Sequence, residues 1–210
     1  MNYRKESFPD FVYPSTNSLE IPDLPLSACA KDLPRGVIRW GRLNRSSLRH
    51  ARAIHFYTDD RKFGSLCSDP GLLLGTDCSH VIEVNFSLGP QTPLPWAIWK
   101  TYQKRVFSCF WASRGVKIIV DLSVHSKFCD LNLRGVPLGW SAFACRGYQG
   151  FEVEDILYLH DLALTWSGRD RILFIVYGGG KPIQAACTRE GFIYLPEDSH
   201  VYEKRKTHGV

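Results

Sequence analysis

The sequence has no apolar run approaching the roughly 20 residues that span a bilayer; its most apolar stretches, such as Ile118–Val120 and Ile172–Val176, are far shorter. The first residues, Met1-Asn2-Tyr3-Arg4-Lys5-Glu6, do not lead into an apolar core followed by small residues, so no secretory signal is read there. A cytoplasmic location with no membrane partner is the expectation. No Cys-x-x-Cys pair occurs, and no His stands at ligand spacing from one. The cysteines (Cys29, Cys67, Cys78, Cys109, Cys129, Cys145 and Cys187) are odd in number and scattered. That argues for reduced thiols rather than a disulfide framework or a structural zinc site. No internal repeat is visible, and the only low-complexity feature is Glu203-Lys204-Arg205-Lys206 near the C-terminus.

What is present fits one hydrophobic core: 210 residues, 44% apolar and 13% aromatic, within the size that a single domain serves. The net charge of +5 is mildly basic and points to a polyanionic partner without requiring one.

Along the chain, Pro9, Pro14, Pro22, Pro25 and Pro34 crowd the first part. Proline removes a donor and biases its predecessor away from helix, so this is read as an extended arm. From Ala53 onward short β-rich runs alternate with helical stretches: Ile54–Thr58, Val81–Phe86, Lys117–Leu122, Ser141–Cys145 and Arg171–Tyr177, with a short terminal strand at Phe192–Leu195. Between them, Trp96, Trp99, Tyr102, Val106, Phe107 and Phe110 recur at helical steps over Pro95–Ser113. Glu152–Trp166 repeats that pattern, with Glu152, Glu154 and Asp155 in its first turn and Gly168 after it. The fold class is therefore α/β, a mainly parallel sheet of about five β-α units. It is either an open sheet or a partial TIM-like barrel, preceded by a proline-rich N-terminal arm. The expected division is an arm and basic segment over 1–52, an α/β core over 53–198 and a basic tail over 199–210.

In such sheets ligands bind beyond the C-terminal ends of the strands, so candidate residues are sought there. Asp59 and Asp60 are adjacent carboxylates that could hold a divalent metal, the one cofactor the sequence suggests, or act as a base; the competing reading is a helix N-cap before Arg61-Lys62-Phe63. Asp121 and His125 follow the third run, as a carboxylate and imidazole of one catalytic site or as a polar loop. Gly178-Gly179-Gly180-Lys181 after the fifth run could cradle an anion, with Arg146 from the fourth assisting. Pro182 stands where a nucleotide-triphosphatase loop carries Ser or Thr, and a plain turn competes. Arg35, Arg39, Arg42, Arg45, Arg49 and Arg52 recur at steps of three and four, as a helical stripe tracking phosphates would, although Gly36, Gly41, Asn44, Ser46 and Ser47 suit an irregular solvated loop equally well.

His55-Phe56-Tyr57-Thr58-Asp59-Asp60-Arg61-Lys62-Phe63, then Asn85-Phe86-Ser87, then Pro95 with Trp99, Tyr102 and Arg105, then Gly115-Val116-Lys117-Ile118-Ile119, and finally Gly135-Val136-Pro137 form an ordered series. From His55 to about Gly147 this resembles a family of bacteria, phages and plasmids known as domain of unknown function forty-four-seventeen. Two departures stand out. Asn85 replaces an acid at the end of the second strand, and Leu122-Ser123 stands where the family places Trp. The resemblance implies an α/β fold and a mobile-element setting, and attaches no chemistry to any motif.

The leading expectation is a nucleic-acid-associated protein of a phage or plasmid, acting in replication or other DNA handling. It would bind the phosphate backbone of DNA or RNA through Arg39, Arg42, Arg45, Arg49 and Arg52, aided by Lys181 and the basic tail. The alternatives are a metal-dependent or hydrolase-like enzyme using Asp59, Asp60, Asp121 and His125, and a non-enzymatic protein that docks another chain through its N-terminal arm.

Overall fold

A computed structural model describes residues 13–41, 51–148 and 151–197. Seven strands form one sheet among them: β1 (Val37–Arg39), β2 (Ala53–His55), β3 (His80–Ile82), β4 (Lys117–Asp121), β5 (Ala142–Gly147), β6 (Leu173–Gly178) and β7 (Ile193–Leu195). They lie side by side in chain order, and every neighbouring pair is parallel. A parallel pair needs a crossover, and the crossovers carry the helices: α1 (Gly64–Ser68), α2 (Leu94–Ala112), α3 (Cys129–Asn132), α4 (Val153–Ser167) and α5 (Gly180–Glu190).

The sheet is strongly curled. In a flat sheet β2 and β6 would stand four strand spacings apart, about 19 Å, yet the rings of His55 on β2 and Tyr177 on β6 are 4.5 Å apart between centroids. The concave side is filled by Ala30, Tyr57, Ile82, Ile119, Ala142, Ala144, Ile175 and Tyr177. The convex side packs against the helices through a larger core that includes Phe56, Phe107, Trp111, Phe143 and Phe174. The result is an open half-barrel whose β1 and β7 are its two edges. Burial of both faces explains why β4 and β6 read as unbroken apolar runs rather than alternating ones. No described helix is long and apolar enough to cross a membrane.

The five expected runs all become strands, and the terminal Phe192–Leu195 run becomes β7. The additional strand, β1, lies inside the stretch expected to be arm. Arg39 ends that strand, which removes the helical reading of the arginine series at this position; Arg42, Arg45, Arg49 and the basic tail lie outside the described residues. Before β1 the chain wraps the lower end of the half-barrel: Ile21 and Leu24 are buried, Cys29 bridges Ile118, and the Ala30 N–H donates to the Ile118 carbonyl.

Gly135 holds this wrap. It has φ +77°, and a Cβ there would lie 2.1 Å from the Pro22 carbonyl oxygen, while its own carbonyl accepts from the Leu24 N–H. Gly135→Ala therefore incurs both backbone strain and a backbone clash. It is expected to cost more than about 2 kcal/mol, read as a lowered urea midpoint at unchanged slope; a change under about 0.5 kcal/mol would show that the wrap does not press on this glycine.

Candidate anion site at the strand C-terminal ends

The C-terminal strand ends meet over the concave face. Register places Arg39 beside His55 across β1 and β2, and Arg146 beside Tyr177 across β5 and β6. Between them the His55 ring leans on Tyr57 and Tyr177, which stack on each other at 5.2 Å. His55 is buried, and its Nδ1 accepts the Tyr57 N–H at 3.3 Å, so in the neutral ring the proton sits on Nε2. Burial, followed by the charges of Arg39 and Arg146, drives the imidazole down to about 3. Below the unfolded value of 6.5 the unfolded chain takes up a proton that folded His55 refuses. Its contribution to stability is thus lost as pH falls through that value toward 3, at up to about 1.4 kcal/mol per pH unit. In NMR the His55 ring is expected to hold the Nε2–H form without titrating from pH 8 to 5; a midpoint near 6.5 would refute its placement.

Beneath this layer lies Asp121, fully buried. Its Oδ1 accepts from the Tyr57 hydroxyl at 3.1 Å and the Ser123 N–H at 3.1 Å. Its Oδ2 accepts from the Asn85 amide at 3.0 Å and from Lys104 Nζ at 3.2 Å. Lys104, buried on α2, also donates to the Asp121 carbonyl and to Asn132 Oδ1, and Asn132 donates back to that carbonyl. With four donors, one of them a buried cation, Asp121 has no lone pair left for proton abstraction, and its charge is cancelled locally. Burial and the nearby Asp121 raise Tyr57 well above the usual phenol range, so it stays a neutral donor.

A second buried pair stands behind the first. Arg105 donates to Glu83 and to the carbonyls of Asn132 and Arg134. Glu83 also accepts from the Ser108 hydroxyl at 2.9 Å and from the Asp121 N–H at 3.3 Å. This pair fixes α2 and the α3 segment to the ends of β3 and β4.

Arg39 and Arg146 therefore flank a buried floor whose imidazole is neutral and whose carboxylate is paired. The buried Nε of Arg146 has no hydrogen-bond partner. Its strand neighbour is the Gly178-Gly179-Gly180 turn: a Cβ on Gly147 would come within 3.0 Å of the Gly178 carbonyl and the Gly179 Cα. All three of those glycines have positive φ, and Gly179 caps α5. Glu197 lies against Gly178 at this rim. The structure thus brings together Arg39, Arg146 and the triple glycine, with Asp121 below. Lys181 is exposed on the first turn of α5, and Arg52 is exposed, with its backbone bonded to Gly36, Ser79 and His80.

The other nominated residues have local partners. Asp59 caps the turn at Asp60–Phe63 by accepting the Arg61 N–H, and pairs with the Arg61 side chain at 3.0 Å, which holds its carboxyl below the usual range. Asp60 accepts from the Ser87 N–H and hydroxyl, each at 3.0 Å. His125 caps Ser126–Phe128 through Nδ1, which accepts the Lys127 N–H. Asp59 and Asp60 therefore aim at different donors, and among the described residues no group of three or more His, Cys, Asp or Glu is placed to hold a metal. All seven cysteines are free thiols. Burial pushes Cys78 and Cys187 up to about 11 and Cys109 to about 12, which removes these three as nucleophiles near neutral pH.

His55, Tyr57, Glu83, Lys104 and Arg105 were absent from the sequence-based candidates. Lys104-Arg105, set directly against Val106-Phe107 on an aromatic helix, was the available signal: a charge pair there is buried only if it is partnered.

The match to a known family covers residues 13–189 and so takes in both arginines and the triple glycine. The chain belongs to the family described as Domain of unknown function (DUF4417). Among its curated relatives are the Gene 1 protein of Mycobacterium phage D29, 25% identical over 174 residues, and that of Mycobacterium phage L5, 25% identical over 178 residues. Each match covers 80% of this chain; it covers 63% of the D29 protein and 74% of the L5 protein, so the DUF4417 chain spans less than two-thirds of the former. No solved structure matches. The family assignment extends the resemblance read from His55–Gly147 in both directions, to include the wrap, β1, β6 and most of α5.

Proposed function

We propose that this DUF4417 protein binds nucleic acid, with Arg39 and Arg146 gripping a backbone phosphate at the mouth of the half-barrel. The observation that carries the reading is the register that sets Arg39 beside His55 and Arg146 beside Tyr177, whose rings lie 4.5 Å apart, so that both guanidinium charges act on one buried, neutral imidazole, while the buried Asp121 is paired with Lys104. Guanidinium forks match phosphate oxygens. The glycine turn beside Arg146 lets a strand backbone approach closely. The phage relatives fit a mobile-element setting. The test is a binding titration of single-stranded and duplex DNA and RNA at two salt concentrations, comparing the wild-type chain with Arg39→Gln/Arg146→Gln. Salt-sensitive binding that the variant loses supports the reading; no binding at low salt ends it.

A further inference from the structure

The opposite end of the half-barrel holds a cavity of about 1050 Å³, between the wrap and the N-terminal ends of β3 to β6. Its walls include Leu26, Ala30, Ile172 and Leu173, and its rim carries Lys31, Lys117, Arg169 and Arg171. One acid, Asp32, lines it, and that carboxylate faces His80 Nε2 at 3.3 Å. Lys117 donates to the Ser27 carbonyl at 2.9 Å, which leaves its charge uncancelled. Arg169 and Arg171 are exposed and pair with no carboxylate among the described residues; Asp170 between them is exposed and does not line the cavity.

We infer that this cavity is a second ligand site, separate from the mouth, for a small phosphorylated molecule with an apolar ring body, in chemical class a nucleoside monophosphate. The cations come from three separate places: the wrap, the start of β4, and the loop between α4 and β6. They converge on one opening as a dianionic headgroup requires, and guanidinium groups on that loop suit phosphate geometry. The apolar wall receives the flat part of the ligand, and the volume is at the upper end of small-molecule sites. A simple inorganic anion would leave that wall wet. A ligand with no charge would leave four cations facing one another, with only Asp32 to offset them.

The test is calorimetric titration of the full chain with each of the four nucleoside monophosphates, with inorganic phosphate and with adenosine. At least one monophosphate is expected to bind, with phosphate and adenosine weaker by about tenfold or more. Arg169→Gln/Arg171→Gln is expected to weaken it about tenfold or more, while Arg39→Gln/Arg146→Gln leaves it unchanged. Both replaced loop residues are exposed, so the unliganded variant should melt with the wild type. The inference is overturned if no monophosphate binds, if phosphate alone binds as well, if the loop variant binds normally, or if the loss follows the mouth variant instead. Because the mouth variant is silent here, failure of this site leaves the nucleic-acid reading separately testable.

Discussion

Arg39→Gln/Arg146→Gln is expected to bind short DNA about 10- to 100-fold more weakly than the wild type at low salt, with a flatter salt dependence. Each phosphate contact releases counterions, and the logarithmic salt slope falls by about 0.9 per contact on duplex and about 0.7 on single strands. Losing the one phosphate that both arginines grip should therefore flatten the slope by about 0.9 or about 0.7, respectively. The slope matters more than the affinity, because a variant that merely loosened the mouth would weaken binding without changing the number of ions released. His55 cannot substitute as a cation, because its buried ring is neutral at working pH. An Arg42→Gln/Arg45→Gln/Arg49→Gln chain tests the adjoining segment. If that chain alone loses binding, the phosphate contact lies there and not at the half-barrel mouth. Unchanged affinity and slope in both variants would remove phosphate contact by arginine altogether.

Glu83→Ala should destabilise the fold by about 3–5 kcal/mol, the range for stripping one partner from a buried ion pair. Both side chains of the Glu83–Arg105 pair are completely shielded from solvent. Removing the carboxylate leaves the Arg105 charge with only the carbonyls of Asn132 and Arg134, and leaves the Ser108 hydroxyl and the Asp121 N–H without their acceptor. Out of a total stability of about 5–15 kcal/mol this is a large fraction, visible as a sharply lower urea midpoint. Glu83→Leu/Arg105→Met should recover part of the loss, since replacing both partners by apolar groups removes the stranded charge. A single-variant cost below about 1 kcal/mol would mean that Arg105 reaches water, contrary to its position. Because the Asp121 N–H is one of the Glu83 donors, the same variant should also loosen the floor of the mouth, and the His55 ring should begin to titrate at a higher pH.

Much of the scaffold was legible beforehand, and the reasons are local. Leu173–Gly178 announces itself as a strand by its β-branched and aromatic run closed by glycines, and α4 by its acidic first turn, where Glu152 and Asp155 form a reciprocal cap. The competing N-cap reading of Asp59 is the geometry found. β1 was missed because a strand of three half-buried residues between Gly36 and Trp40 has no periodicity to detect. α5 was missed for a related reason: its opening triple glycine reads as a turn, although Pro182 is tolerated in a first helical turn, where no N–H partner is needed.

Backbone preference, apolar period and capping act over a few residues, and so the amino-acid order by itself determined the parallel α/β scaffold, most of its strands and the strand ends as the place to search. Charge and protonation act through space. Whether Asp121 is a base or a neutralised anchor depends on Lys104 from α2, and whether His55 is a switch or a fixed neutral donor depends on burial and on Arg39 and Arg146 from two other strands. Only the curl of the sheet, which sets those side chains against one another, decided both.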